Sequence, residues 1–368
     1  MARPGSLFRS ILLGFAVSMS LTAPACSGFL SRTGPSSLGI MPGVINNTGN
    51  RSLRRSIMRF GLEESCKELT HRGAPLHMRD DDPTIGRFYA RTCDFQELEN
   101  GDVFIKFSGV GYAWTNLSLR VGFEASGAIQ FDQDFLMDGS TMYAYFRTRT
   151  IVSTTFNTLM VERGGANGAS ALSGFANPVA KQVVEQQLTK GFTVIRDSDG
   201  NVEFSLGMIE KGKHPSKPFT VSGNDRITLV NERTEVQGQQ LDFLGPFNVD
   251  SDGRALFISA SVDGVPAVDV FIVRKDTGDA WIDSYIRNAG LRTPSTPPLM
   301  FDVAQTRTTW QKFLPLAKGY YYVVVDNSST IGNVAPPKSG SVPLLPGAFS
   351  VSDAAANVSV AIQLGDAP

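Results

Sequence analysis

Apolar and polar residues alternate along much of the stretch from residue 103 to 160. Val103, Ile105 and Phe107 form one such run, and Ala113, Thr115, Leu117, Leu119, Val121 and Phe123 a second; residues 142–149 and 151–160 continue the pattern. A period of two puts every second side chain on the same face of a strand, so these runs predict long strands of an antiparallel sheet. Gly101, Gly109, Gly111, Gly127 and Gly139 punctuate them, and Asp138-Gly139 is the best hairpin turn among the set. Two segments follow a helical period instead. Leu53, Ile57, Phe60, Leu62 and Leu69 stand among charged residues and predict a helix over 51–70, with Gly61 weighing against an unbroken one and Cys66 near its end. Asn177 as N-cap, Pro178 in the first helical position and Gly191 as the closing residue frame a second helix, with Val179, Val183, Val184 and Leu188 as its apolar stripe. A hairpin of residues 192–196 and 202–206 around Asp197-Ser198-Asp199-Gly200 follows. Residues 51–217 thus read as an α+β domain, an antiparallel sheet with helices.

His214-Pro215-Ser216-Lys217-Pro218 is unsuited to regular structure and marks a boundary. Beyond it the pattern is one of strands at 256–262, 268–274, 280–287, 320–326 and 358–364, separated by turns such as Asp252-Gly253 and Asp263-Gly264. That spacing predicts an all-β sandwich domain over 218–368. A length of 368 residues with 42% hydrophobic content is enough for two such cores. Residues 26–50, rich in Gly, Ser, Pro and Asn without sustained periodicity, read as a flexible tether.

The first 25 residues are an address rather than a structure. Arg3 and Arg9 form a basic head, and the apolar stretch from Ser10 to Leu21 is too short to span a bilayer comfortably, which is the layout of a secretory signal peptide. Ala23-Pro24-Ala25 places small residues before Cys26, and the segment resembles the lipobox of bacterial lipoproteins, with Ala23 where that box usually has Leu. The resemblance implies diacylation of Cys26 and stable membrane attachment through the lipid. With Ser27, not Asp, after the cysteine, it implies the outer membrane as destination. The alternative is a plain A-x-A cleavage that frees a soluble protein with a thiol at its tip. The chain has three cysteines. If Cys26 carries lipid, Cys66 and Cys93 remain as an even pair in an oxidising compartment, and a disulfide between them follows.

The segment Ala317-Lys318-Gly319-Tyr320-Tyr321-Tyr322 to Asp326-Asn327-Ser328-Ser329, with a final strand after it, resembles the end of a GOLD-like sandwich domain. Such domains are associated with protein or carbohydrate interaction, which favours binding without identifying a partner.

Charge removes one class of partner. Lys plus Arg (34) and Asp plus Glu (35) nearly cancel to a formal net charge of -1, so nucleic-acid binding is disfavoured. Chemical motifs are equally sparse. Residues 207–213 have the G-x-x-x-x-G-K spacing of a phosphate loop, but His214 replaces the magnesium-binding Ser or Thr and Pro215 and Pro218 prevent the helix it needs. Asp80-Asp81-Asp82, Asp197 with Asp199, and Asp250 with Asp252 imitate parts of calcium loops but read as turns. His71, His77 and His214 lack the spacing of a zinc site. No catalytic residue, metal or cofactor is therefore expected. The remaining candidate is a face of mixed aromatic and polar character: Tyr112 and Trp114 point the same way as Arg120, and a ligand could lie there, unless the face simply packs against a helix. The functional expectation is an exported, lipid-anchored envelope protein that binds or scaffolds, with a lipid, glycan or protein partner. Its alternative is a periplasmic or surface hydrolase with an unrecognised carboxylate pair.

Overall fold

The computed structural model describes residues 46–47, 49–78, 82–115, 119–162, 186, 189–197, 202–215, 217–221, 225–338 and 353–368. The signal peptide, Cys26, nearly all of the tether and almost the whole helix expected after Asn177 lie outside these residues.

Helix α1 (Arg51–His71) comes first. Met58, Leu62 and Cys66 recur every four residues and are buried, while Arg55, Arg59 and Glu63 face out. That stripe faces the hollow of a seven-stranded antiparallel sheet whose strands follow one another in chain order: β1 (Ala74–Pro75), β2 (Gly86–Glu97), β3 (Val103–Thr115), β4 (Leu119–Asp138), β5 (Thr141–Val161), β6 (Phe192–Arg196) and β7 (Val202–Leu206). Strands β4 and β5 are 20 and 21 residues long, and the two runs expected at 142–149 and 151–160 are one continuous strand. Their hairpin closes at Asp138 opposite Thr141, with Gly139 at φ +58°, a value glycine adopts readily. Three register shifts along the β4–β5 ladder bend the sheet. It curls into an incomplete barrel in which Phe88, Phe107, Phe123, Phe131, Phe135, Phe146 and Phe192 join α1 in one core. A disulfide between Cys66 and Cys93 clips α1 to β2.

The second half consists of two four-stranded antiparallel sheets. One has the order β13 (Trp310–Leu316), β10 (Arg254–Asp263), β15 (Ala356–Asp366), β8 (Ile227–Val236). The other runs β12 (Met300–Gln305), β11 (Ala267–Arg274), β14 (Gly319–Asn327), β9 (Gln240–Val249). Val236, Leu244, Phe247, Ile258, Val270, Val323 and Ile362 are among the residues that fill the space between them. Helix α2 (Lys275–Arg287) lies across the outer face of the β9-containing sheet.

The expected fold class needs correcting in both halves. Among the described residues, 51–217 do not form an α+β domain of sheet plus packed helices. They form a long-stranded, curled sheet with α1 inside it, so the body is predominantly β. The second half is not all strand either, because residues 280–287, read as a strand, belong to α2. Trp281, Ile282, Tyr285 and Ile286 are favoured in strands, yet their spacing makes one buried helical stripe, and Lys275–Asp279 and Asp283–Arg287 add ion pairs one turn apart. Gly278 allows the helix to sit this close to the sheet, since a Cβ there would come within 2.2 Å of the Tyr322 ring.

Candidate functional site

Strand β3 has two faces with different fates. Val103, Ile105 and Phe107 enter the core of the curled sheet, while Val110, Tyr112 and Trp114 turn outward onto the second half of the chain. There they meet Phe243 of β9, Phe271 of β11, Tyr322 and Val324 of β14, and Trp281 and Tyr285 of α2. The aromatic face singled out in the sequence is thus the joint between the halves, and Tyr112, Trp114 and Arg120 are all buried in it.

Each of the three has internal partners. The Tyr112 hydroxyl donates to Asp242 Oδ1 at 2.7 Å and accepts the Phe243 N–H at 2.9 Å. Trp114 Nε1 donates to the Tyr285 hydroxyl at 3.0 Å, which itself donates to Gln240 Oε1 at 2.7 Å. The Arg120 guanidinium lies 3.8 Å from the centre of the Tyr285 ring and donates to the Asn288 carbonyl at 2.9 Å and to Glu162 at 3.3 Å. Burial pushes the Tyr285 hydroxyl up to about 12, so it remains a donor at any physiological pH. The expected ligand face is filled by the protein itself.

Arg87 of β2 holds the centre of this joint. Its Nε and Nη2 bond the two oxygens of Asp242 at 2.7 and 2.8 Å, and Nη2 also reaches Glu232. Burial alone would raise the Asp242 carboxyl. The Arg87 charge, with hydrogen bonds from Arg87, Tyr112 and Thr234, outweighs it and holds the group below the usual carboxylate range. Acidic groups do gather between the halves, but they are consumed by an ion pair inside a packed interface.

Compared with known proteins, the chain matches no family model and no curated protein. Function must be argued from its own side chains.

Three further places gather a cavity or ionisable side chains. Inside the curled sheet, Leu69, Cys93, Ile105, Phe107, Phe131, Phe192, Phe204 and Leu206 line an apolar cavity of about 30 Å³. Ligand pockets run to roughly 300–1,000 Å³. A second place is the end of the β6–β7 hairpin, where ligand atoms of Asp197, Glu203 and His214 lie within 4.8 Å of one another. These groups already have protein partners: His214 Nδ1 and Glu203 are 3.0 Å apart, Lys217 pairs with Glu203, and Thr141 donates to Asp197 at 3.1 Å.

The third place was not visible in the sequence. Asp269 of β11 and Asp326 of β14 stand directly opposite each other in the ladder, both fully buried on the outer face of their sheet. Asp269 Oδ2 accepts the Val334 N–H at 2.9 Å. Burial, reinforced by the charge of Asp269, raises the Asp326 carboxyl to about 7, although Ser328 and the amides of Ser328 and Gly332 act in the opposite sense. The Asp269 carboxyl is raised as well, by burial.

Proposed function

We propose that this chain is an exported protein of the bacterial cell envelope, held at the outer membrane by lipid on Cys26, where it binds or scaffolds a partner and performs no catalysis. The observation that carries this reading is the Cys66–Cys93 disulfide. Structural disulfides persist in oxidising compartments, and this pair uses two of the three cysteines, leaving Cys26, behind its signal-like segment, for the lipid.

Two features support binding. The packed joint of Arg87, Asp242, Tyr112 and Tyr285 links both halves into one body, so its outer surfaces keep a fixed relation. On one of them Phe313 of β13 is 52% exposed and stacks on Phe257 of β10, whose ring also carries the Arg226 guanidinium at 3.5 Å. Such an aromatic and cationic platform suits a glycan or protein partner. A lipid ligand in the apolar cavity lined by Leu69, Phe131 and Phe192 is not part of this proposal, because that cavity is an order of magnitude too small. The hydrolase alternative needs carboxylates open to substrate, whereas Asp242 is paired with Arg87, and Asp269 and Asp326 are fully buried.

Cys26→Ala tests the anchor. Wild-type protein expressed in a bacterial host should fractionate with the membranes, since two acyl chains give stable attachment. The variant should move almost entirely to the aqueous fraction with its fold intact. Equal membrane association of both proteins would refute lipid anchoring at this residue.

A further inference from the structure

The pair formed by Asp269 and Asp326 is an electrostatic anomaly. Both side chains have no solvent exposure, and among the described residues neither carboxylate has an ion-pair partner. The Val334 N–H fixes Oδ2 of Asp269, and the Asn333 amide lies close enough to influence the group, but Oδ1 has no hydrogen bond of normal geometry. Both oxygens of Asp326 are also buried and unpartnered; Ser328 and the loop amides lie close enough to influence it but form no hydrogen bond of normal geometry with it. Side chains directly opposite in an antiparallel ladder have their Cβ atoms about 4.5–5.5 Å apart. Three bare carboxylate oxygens are thus held close together beneath residues 328–334, where uncompensated negative charge is strongly unfavourable.

We propose that Asp269 and Asp326 bind a calcium ion beneath the loop that follows β14. Two carboxylates balance its double charge, one offering a single free oxygen and the other both. A proton shared between the two groups would satisfy one oxygen of each and leave the second oxygen of Asp326 bare, whereas a cation satisfies all three. The oxygen-only donors suit a hard cation, and calcium tolerates irregular, carboxylate-rich surroundings, while magnesium demands a near-octahedral shell and retains its waters. Ser328, buried two residues after Asp326, offers a hydroxyl close to it, and the remaining coordination falls to water. The loop is closely fitted to the pair. At Gly332 a Cβ would lie 1.8 Å from Asp269 Oδ2, so the backbone passes directly over the carboxylate. The ion ties residues 328–334 to the sheet.

The test uses the full chain, stripped with EDTA and titrated calorimetrically with calcium chloride to about 10 mM, above the roughly 10⁻⁴–10⁻³ M range of extracellular calcium modules. One calcium should bind per chain and raise the melting temperature, with magnesium at least about tenfold weaker. Asp326→Asn keeps the shape of the side chain and removes a buried charge; it should fold, bind no calcium and melt at the same temperature with or without it. Asp269→Asn should do likewise. A folded wild-type protein that takes up no calcium overturns the proposal, as do variants that bind like the wild type. A melting temperature that answers to pH across neutrality but not to calcium also overturns it, and assigns the pair a shared proton instead.

Discussion

Arg87→Met should lower the free energy of unfolding by about 3–5 kcal/mol, the cost of breaking a buried ion pair from one side. Arg87 is only 2% exposed and Asp242 not at all, and without the guanidinium Asp242 loses two hydrogen bonds and its compensating charge together. Glu232, the second acid on Arg87, keeps some contact with solvent and relaxes more easily. Because Asp242 also accepts from Tyr112, the loss is placed at the seam between the halves. Denaturant unfolding followed by tryptophan fluorescence reads this out, with Trp114 and Trp281 both in the joint. Removing both charges, in Arg87→Met with Asp242→Leu, should recover part of the loss, since apolar replacements of buried pairs are often tolerated. A single variant within about 1 kcal/mol of the wild type, the upper edge of what exposed pairs contribute, would show that the pair does not hold the joint.

Replacing Cys66 and Cys93 together by Ala should cost about 3–4 kcal/mol, the loop-closure entropy released when residues 27 apart are no longer joined. The loss falls on α1, whose buried stripe of Met58, Leu62 and Cys66 closes the inside of the curled sheet. Thermal melting with and without reductant distinguishes this effect from a packing defect. Reductant should bring the wild type down to the melting temperature of the double variant and leave the variant unchanged. Equal melting of the oxidised wild type and the variant would contradict a stabilising role.

Features governed by local periodicity could be read from the chain. The alternation around Val103, the Asp138-Gly139 turn and the helical spacing around Leu62 each depend on neighbours within a few residues, and each has its expected structure. The run from Ala113 to Phe123 is not one strand, because β3 ends at Thr115 and β4 starts at Leu119, antiparallel to it. Strand β2 has no legible alternation because only its first half is buried; Arg91, Thr92, Asp94 and Gln96 are exposed and hide the pattern. Helix α2 reads as a strand from its sequence because its buried residues are bulky and β-favouring, although its spacing is helical. The mixed face of Tyr112 and Trp114 was recognisable as unusual, but the sequence could not say whether a ligand or another part of the chain covers it. Long-range pairs were beyond reach altogether. Arg87 meets Asp242 through docking of the halves, and Asp269 meets Asp326 through the pairing of β11 with β14. The aspartates that do resemble calcium loops by their spacing include Asp252, which instead accepts the Lys318 N–H in a turn.

The most direct test of an exported, lipid-anchored protein is the intact mass of the mature chain, extracted gently from the membranes of its own host. The expected mass is that of a chain beginning at Cys26, increased by its acyl groups and reduced by the two hydrogens lost in the Cys66–Cys93 disulfide. A mature chain with no acyl mass and three free thiols would contradict it.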